Sequence, residues 1–425
     1  MRVLHVVKTA DGAGWAALQA AELKKLGIET HVALPSHIGR AVSQWVSAGA
    51  VVHAVETGLP GRSVGSLPYL LKQIRQLVSG VQPDLIHSHF YISTLLLRLA
   101  LGRRHRTPRL FQVPGPLHME HWLWRKLDLV TAGPRDFWIA SSRYTQGLYR
   151  EAGVPSERLY LSYYGINTQD VPEIKRRMLR NRLGIPDDFW IVGNSNFMYP
   201  PKWYLGQTIG IKAHEDVIDA IGLVTEERSD VIGVLIGGVF RASRWYEQRL
   251  QKRASLIGNG RIVMMGYIAP NEVRQMWPGF DVAVHVPISE NCGGVVEPLL
   301  AAVPTIAGRV GGLPEVVVDG VTGKLVERRN PKALAQAIVE VLREYPKYRE
   351  LACVGQKLVL NMFDVRRTGR EIAEIYAYVL GKRSERPEEF DAAAYLKELA
   401  GVAREPNVGW WHKGFPGRAD LGSAV

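Results

Sequence analysis

Two successive series of alternating strand and helix patterns constrain the fold of this chain more than any other feature of its sequence. The first series opens with an apolar run at residues 3–7, followed by a glycine-bearing loop, a helical pattern and another apolar run. The second series begins at Trp190 and continues to a helical pattern at residues 365–380. Such alternation is typical of parallel sheets that are covered by helices on both faces. The sequence therefore predicts an α/β protein with two Rossmann-like, doubly wound domains facing a cleft.

Length and local composition give the domain boundaries. A chain of 425 residues is too long for one ordinary core, so we expect two large domains. The segment 168–181 is polar and basic with little strand character, and we place the first domain at residues 1–170 and the second at 171–380. The tail, residues 381–425, contains a helical pattern at 392–403 and the aromatic pair Trp410–Trp411. This tail is either loosely ordered or packed along the first domain.

The charge of the chain narrows the class of its partners. A formal net charge of +12 attracts anionic groups such as nucleotide phosphates, a phospholipid surface or nucleic acid. The basic clusters at 103–109 and 175–182 lack the interleaved aromatic side chains of single-strand binders, so we expect no nucleic acid. These clusters are either solvated surface or a membrane-facing surface.

Cysteine content and apolar runs indicate the compartment. The sequence has no apolar run of about 18 residues, and the first apolar patch is too short for a signal peptide. The two cysteines, Cys292 and Cys353, cannot form a disulfide framework and fit a reducing cytoplasm. Neither has a metal-ligand spacing, so we assign no metal site.

The stretch 281–319 combines glycines and carboxylates in a strand, loop, helix and strand pattern. Gly293 and Gly294 leave the backbone N–H groups up to Val295 free where a helix begins, a geometry that suits a phosphate. Glu290 and Glu297 can accept hydrogen bonds from the hydroxyls of a ribose or a sugar. The pattern makes nucleotide-sugar handling the first function to test.

Other candidate residues lie where predicted strands end or helices begin. The loop with Gly12 and Gly14 follows the first strand, but it is not a full G-x-G-x-x-G motif, so dinucleotide binding is poorly supported. His89 and His118 each follow a strand, and each either faces the crevice or is a hydrogen-bonded structural histidine. Lys212 begins a helix and either binds a phosphate or lies on the surface.

These motifs resemble those of the retaining glycosyltransferases of the GT-B fold, the family-4-like "glycosyl transferases group 1". In the second half the resemblance is carried by residues 261–267, 281–319, 311–326 and 331–342. In the first half it is carried by the glycine loop and by residues 82–90, 137–145 and 150–167. It covers about residues 1–380 and implies an acceptor-side first domain and a donor-binding second domain.

The resemblance assigns the two glutamates to an E-x7-E motif, whose second glutamate contacts the donor ribose and whose first lies near the transferred sugar. Glu297 takes the second place. Glu290 precedes it with six residues between them instead of seven, and strict spacing would select Ser289. We expect that the loop is one residue shorter and that Glu290 still reaches the sugar; the alternative is an altered role for the first glutamate.

The resemblance also assigns residues to the donor phosphates and the sugar. Lys212 is similar to the family's lysine on the diphosphate, while the family's arginine is replaced by Asn194, so an arginine such as Arg241 or Arg244 would have to substitute. His118 resembles the histidine beside the transferred sugar. The loop of Gly12 and Gly14 resembles the one that approaches the diphosphate.

The implied activity is retaining transfer of a sugar from a nucleoside-diphosphate sugar to an acceptor hydroxyl. Lys212 and the N–H groups near Gly293, Gly294 and Val295 would stabilise the leaving diphosphate, with no metal or cofactor. We expect a saccharide, a lipid-linked saccharide or a small molecule as acceptor, and a cytoplasmic location with peripheral contact to the inner membrane face. The alternative is a catalytically altered relative that binds a nucleotide or an anionic surface as a partner subunit.

Overall fold

The structure is a computed structural model that describes residues 1–58, 67–168, 177–239 and 243–400. The chain divides into two compact units, residues 1–390 and 391–425. Both sheets belong to the first unit, and the second contains helix α16, Ala392–Ala400. The boundary expected between residues 170 and 171 and the Trp410–Trp411 pair lie outside the described residues, so the domain limits and the course of the tail stay predictions.

The first sheet has seven parallel strands in the order β3-β2-β1-β4-β5-β6-β7. These strands are β1 Arg2–Val6, β2 Glu29–Leu34, β3 Val51–Ala54, β4 Leu85–Ser88, β5 Arg109–Val113, β6 Asp136–Ala140 and β7 Leu159–Leu161. The helices of this part are α1 Gly14–Lys25, α2 Val42–Ser47, α3 Leu67–Val81, α4 Tyr91–Leu101, α5 Leu117–Glu120, α6 Trp122–Thr131 and α7 Arg143–Glu151. The order reverses at β1, as it does in doubly wound sheets.

The second sheet has six parallel strands in the order β10-β9-β8-β11-β12-β13. These strands are β8 Trp190–Ser195, β9 Val231–Ile236, β10 Ile262–Met264, β11 Val282–His285, β12 Thr305–Gly308 and β13 Lys324–Val326. The helices are α8 Arg177–Leu183, α9 His214–Glu227, α10 Arg244–Ile257, α11 Pro270–Met276, α12 Val296–Leu300, α13 Pro331–Arg343, α14 Tyr345–Met362 and α15 Val365–Val379. The predicted fold class, with two doubly wound α/β sheets, is confirmed.

Local sequence explains where several of these elements begin. Every residue of β11 is buried, which accounts for its almost continuous apolar run, as expected for a central parallel strand. Helix α7 begins after Ser142, whose hydroxyl accepts a hydrogen bond from the backbone N–H of Thr145. Helix α13 begins with Pro331 after Asn330, whose side chain caps the backbone N–H of Ala333.

The last long helix of the first unit returns to the first sheet. Ile372, Ile375 and Tyr376 of α15 are buried in one apolar cluster with Val3 of β1 and Leu23 of α1. In sequence α15 follows the second sheet, yet its apolar face completes the core of the first. The two halves of the unit are therefore joined by this crossing as well as by the segment between the sheets.

The loops that follow the strands of the two sheets contact one another. Glu315 accepts hydrogen bonds from the backbone N–H groups of Arg143 and Tyr144, each at 2.9 Å, at the start of α7. The side-chain amide of Asn291, which follows β11, donates to the carbonyl of Ser141 at 3.0 Å. Because these residues follow β6, β11 and β12, the carboxyl ends of both sheets face the same region.

Candidate functional site

A group of polar side chains lies at the carboxyl end of β11. The backbone N–H of Ile288 donates to the carbonyl of Ile211 at 3.0 Å, which joins the loop after β11 to the segment before α9. That contact brings Lys212 against Glu290, whose Oε2 also lies 3.1 Å from Nε2 of His285. Lys212 and Glu290, both proposed from the sequence, are therefore in contact.

The carboxylate of Glu290 is held in its charged form. Burial acts to raise its pKa, but the charge of Lys212 and the hydrogen bond from His285 outweigh that effect and hold the pKa well below its usual range. The backbone N–H of Asn291 donates to the other carboxylate oxygen at 3.0 Å. An ionised Glu290 can only accept hydrogen bonds, so it suits sugar hydroxyls and not proton donation.

The hydrogen bonds of His285 define the protonation of its ring. Burial lowers the pKa of His285, although its bond to Glu290 acts in the opposite direction, so the ring is neutral. The side-chain amide of Asn196 donates to Nδ1 at 3.2 Å, which leaves the proton on Nε2, facing the carboxylate. His285 therefore positions Glu290 as a hydrogen-bond donor.

Two glycines make room for this group. A Cβ at Gly294 would lie 2.1 Å from Nε2 of His285, so only glycine lets the chain pass over this ring. Gly311 has φ +55° and its Cβ would lie 1.8 Å from the carbonyl oxygen of Glu290. By contrast, a Cβ at Gly293 would meet open space. The predicted glycine pattern thus serves the packing of His285 and Glu290.

Glu297 lies in the first turn of α12, directly after a 3₁₀ turn at Gly293–Val295. Nε1–H of Trp277 donates to Oε2 of Glu297 at 3.3 Å, and the glutamate side chain is half-buried. Its expected contact with a ribose, and the expected contact of the Gly293, Gly294 and Val295 N–H groups with a phosphate, stay predictions.

Asn194, at the position where the resemblance implies an arginine, is a buried amide. Asn194 lies in β8 with 2% of its surface exposed, and neither its Nδ2 nor its Oδ1 has a hydrogen-bond partner among the described residues. Of the suggested substitutes, Arg244 begins α10, while Arg241 lies outside the described residues. A buried amide with both atoms unpaired is costly unless a ligand or water satisfies it.

The glycine loop of the first sheet leads directly into α1. Ala13, between Gly12 and Gly14, adopts the left-handed conformation with φ 65°, and α1 starts at Gly14. The ring of Trp15 packs on Tyr164 with a centroid distance of 3.9 Å. No described contact joins Gly12 or Gly14 to the group around Glu290, and their role at the diphosphate stays a prediction.

His118 lies in α5 and is mostly buried. Its Nε2 is 2.9 Å from the hydroxyl of Tyr149 and 3.4 Å from Oδ2 of Asp128, and its ring stacks on Tyr91. Asp128 in turn forms a buried ion pair with Arg98 at 2.5 Å. The described contacts of His118 are therefore structural and separate from those of Glu290, and its role beside the sugar stays a prediction.

His89 belongs to a buried histidine cluster with His5 and His87. The three rings have candidate ligand atoms within 4.8 Å of one another. The rings of His5 and His89 are nearly parallel, and Nδ1 of His5 is 2.9 Å from Nε2 of His89, which is hydrogen-bond geometry. Burial lowers the pKa of all three imidazoles, that of His5 to about 3, so the cluster is uncharged.

Sequence reasoning missed four residues of this region. His285 and Asn196 bind one another, Trp277 contacts Glu297, and burial together with the charge of Glu290 raises the pKa of Tyr199. A signal existed for His285, because it is a polar residue at the carboxyl end of an apolar strand. The same signal existed for Asn196, which directly follows β8, whereas Trp277 and Tyr199 are placed by tertiary packing and carry no such local signal.

Matches to two protein families together cover most of the chain. Residues 203–344 match the family described as "Glycosyl transferases group 1", and residues 15–170 match "Glycosyltransferase Family 4". The first match contains Lys212, Glu290 and Glu297, and the second contains His118. Among the described residues, no helix combines the length and the apolarity that crossing a bilayer requires.

Individual relatives agree with these families. The chain is 25% identical over 327 residues to the putative glycosyltransferase EpsD of Bacillus subtilis, covering 72% of this chain and 79% of the relative. It is 26% identical to a D-inositol 3-phosphate glycosyltransferase of Streptomyces avermitilis, and the match covers 71% of this chain and 67% of the relative. In fold it is similar to HepE of Anabaena solved with UDP-glucose, with a TM-score of 0.75 and 21% identity. The similarity covers 89% of this chain and 100% of HepE.

Proposed function

Since this chain belongs to the glycosyltransferases of group 1 and family 4, with the GT-B fold, we propose that it transfers a sugar from a nucleoside-diphosphate sugar to an acceptor hydroxyl with retention at the anomeric carbon. The observation that carries the proposal is the arrangement of Lys212, Glu290 and His285 at the carboxyl end of β11. Glu290 reaches this position even though its spacing from Glu297 is one residue shorter than the family pattern.

The donor sugar lies against Glu290 in this proposal. The carboxylate is ionised and keeps its bonds from His285 and from the backbone N–H of Asn291, so its geometry is fixed before the donor arrives. Hydroxyls of the sugar donate to it, which orients the ring for attack on the anomeric carbon. His285 acts through Glu290 and is a positioning residue.

Lys212 exchanges partners when the donor binds. In the described structure its ammonium group is paired with Glu290 at the edge of a half-buried site. The diphosphate of a donor carries more negative charge than one carboxylate, so it attracts Lys212 and leaves Glu290 to the sugar. As the bond from the anomeric carbon to the phosphate oxygen breaks, Lys212 stabilises the charge on the leaving diphosphate without requiring a metal.

Glu297 binds the ribose of the nucleotide. Its carboxylate already accepts one hydrogen bond from Trp277, and it retains free acceptor capacity for ribose hydroxyls. The complexes of HepE with UDP and UDP-glucose support a uridine nucleotide as the first donor to test. Asn194 supplies a neutral buried amide to this region where the family pattern has a charged arginine.

The test of the proposal is release of nucleoside diphosphate from a panel of UDP-, GDP- and ADP-sugars, with wild type and a Glu290→Gln variant. We expect release with one donor class, and release at least ten-fold slower in the variant, as for loss of a group that acts in the transition state. Tight nucleotide binding with no turnover of any donor would instead favour the alternative, a catalytically altered relative that acts as a partner subunit. The presence of Asn194 where the family pattern has an arginine motivates that alternative.

The acceptor is proposed to bind on the side of the first sheet. We propose a saccharide, a lipid-linked saccharide or a small molecule as acceptor, entering between the loops of the two sheets. Contact with the cytoplasmic face of a membrane would bring the enzyme to a lipid-linked acceptor. The net charge of +12 supports such a contact with anionic lipids.

A further inference from the structure

Helix α6 presents three of its six apolar side chains outward, while Trp124, Leu127 and Leu129 are partly buried. Trp122, Leu123 and Val130 are 61%, 37% and 49% exposed, although each would be expected to cover the core. Asp128, the only acidic residue of the helix, is completely buried. The helix thus exposes apolar side chains on one side while it buries its carboxylate, which is unusual for a surface helix.

The orientation of α6 is fixed by strong inward contacts. Asp128 pairs with Arg98 of α4 and accepts from the hydroxyl of Tyr149 of α7 at 2.6 Å. Tyr91 donates to the carbonyl of Trp124 at 2.9 Å at the other end of the helix. With 100° between successive residues, Leu123, Lys126 and Val130 lie on the side opposite Asp128. Rotation that would bury them would break the ion pair.

Basic side chains lie on this outward face and beside its C-terminal end. Lys126 lies on the face itself and is exposed. Nε of Arg103 donates to the carbonyl of Ala132 at 3.0 Å, which places the basic segment after α4 beside the end of α6. Arg103 and the next residue, Arg104, are also exposed. Apolar residues flanked by lysine and arginine are the composition of helices that lie in the interface of anionic bilayers.

We propose that the outward face of α6, formed by Trp122, Leu123, Lys126 and Val130, docks on the surface of an anionic phospholipid bilayer. Trp122 and Leu123 enter the boundary between headgroups and acyl chains, while Lys126, Arg103 and Arg104 contact the phosphates. Helix α5, which carries His118, directly precedes α6, so docking would hold this part of the proposed acceptor-side domain next to the membrane. The inference rests on the exposed face and its charge, and does not require the proposed sugar transfer.

Cosedimentation of the full chain with vesicles tests the proposal. We expect binding to phosphatidylcholine vesicles that contain phosphatidylglycerol and little binding to pure phosphatidylcholine. The double variant Trp122→Ser/Leu123→Ser is expected to lose this binding. The double variant Lys126→Gln/Arg104→Gln is expected to lower the affinity for anionic vesicles about 25-fold, at roughly five-fold for each basic residue removed.

Trp245→Ser is the matched control, because Trp245 is an exposed tryptophan of α10, 55% accessible, in the part of the chain with the second sheet. It should bind like wild type, and all variants should keep wild-type thermal midpoints and nucleotide binding. The proposal is overturned if wild type fails to bind anionic vesicles, if Trp122→Ser/Leu123→Ser binds normally, or if Trp245→Ser is equally impaired. A wild-type dimer that Trp122→Ser/Leu123→Ser converts to monomer, without vesicle binding, would assign the face to a second copy instead.

Removal of residues 401–425 tests whether the C-terminal tail of this chain covers the face. We expect the truncated chain to bind anionic vesicles as the full chain does. Binding that appears only after truncation would show that the tail covers the face and would overturn the proposal for the full chain.

Discussion

The imidazole of His285 donates its Nε2–H to the carboxylate of Glu290 across 3.1 Å. The donor is the last residue of β11, and the acceptor lies in the loop that the strand enters, so a rigid central strand positions the carboxylate. This contact holds Glu290 in a defined position within the loop after β11.

Replacing His285 should impair turnover more than nucleotide binding. In His285→Leu the carboxylate loses its positioning donor, and we expect kcat to fall about ten- to hundred-fold, by analogy with the loss of residues that orient metal ligands. The dissociation constant for the nucleoside diphosphate should stay near that of wild type. Steady-state kinetics together with calorimetric nucleotide titration would measure the two effects.

A second histidine pair provides the control for His285. His53 contacts His31 at 2.9 Å in the first sheet, with the same kind of imidazole contact but away from β11. His53→Leu should leave kcat unchanged. Equal losses of kcat in both variants, or a loss only in nucleotide affinity for His285→Leu, would contradict the positioning role.

Alanine substitutions at the adjacent glycines Gly293 and Gly294 should have different effects. In Gly294→Ala the new Cβ would lie 2.1 Å from Nε2 of His285, so the ring must move and Glu290 with it. We expect a loss of about 1–3 kcal/mol in unfolding free energy and a severe loss of kcat. Gly293→Ala meets open space and should retain both properties. Urea unfolding and kinetics of the two variants check the pair, and similar behaviour of both would show that the ring contact is unimportant.

Glu297→Ala should weaken nucleotide binding. If the carboxylate accepts hydrogen bonds from the ribose, its loss costs about 1.5–3 kcal/mol, which is roughly ten- to hundred-fold in the dissociation constant. Glu327→Ala is the matched control, because Glu327 is an exposed glutamate that pairs with Arg309 on the surface. Calorimetric titration with UDP and GDP would measure the effect. Wild-type affinity in Glu297→Ala would remove this residue from the nucleotide site.

The ionised state of Glu290 predicts a pH dependence of stability. Its pKa in the folded chain is below the ordinary value of 4.5, so the unfolded chain binds more protons as the pH falls. The stabilisation that the charged group provides is therefore present above about pH 4.5 and is lost progressively as the pH falls towards the folded pKa. Unfolding free energies of wild type and Glu290→Gln, measured between about pH 6 and pH 3.5, should differ less at the acidic end. A difference that is constant or grows on acidification would contradict this assignment.

Much of the fold could be predicted because periodicity is local. The strand expected at residues 51–54 and the helix expected at 331–342 are found at Val51–Ala54 and Pro331–Arg343. Helix α14, Tyr345–Met362, was missed. Its buried residues do follow helical spacing, but the stripe contains Tyr348, Ala352 and Gly355, so its apolar character is weak over the first half of the helix. The return of α15 to the first sheet depends on long-range packing that no local pattern encodes.

The candidate site was predictable only in part for the same reason. Lys212 and Glu290 could be selected from motifs, but their contact depends on the bond between Ile288 and Ile211. His118 has partners, Asp128 and Tyr149, that only the folded chain reveals. Motifs therefore identify the groups that carry charge, while the orientation of those groups is a tertiary property.

The measurement that tests the central claim most directly is donor turnover by wild type beside Lys212→Gln, the variant that removes the cation paired with Glu290. Each protein is incubated with UDP-glucose and its GDP and ADP counterparts, and the free nucleoside diphosphate is quantified. We predict measurable release by wild type with one nucleotide class and a loss of about 100-fold or more in Lys212→Gln, as for loss of a group that stabilises leaving-group charge. Equal release by both proteins, or no release by wild type from any donor that it binds, would contradict the assignment of this site to sugar transfer.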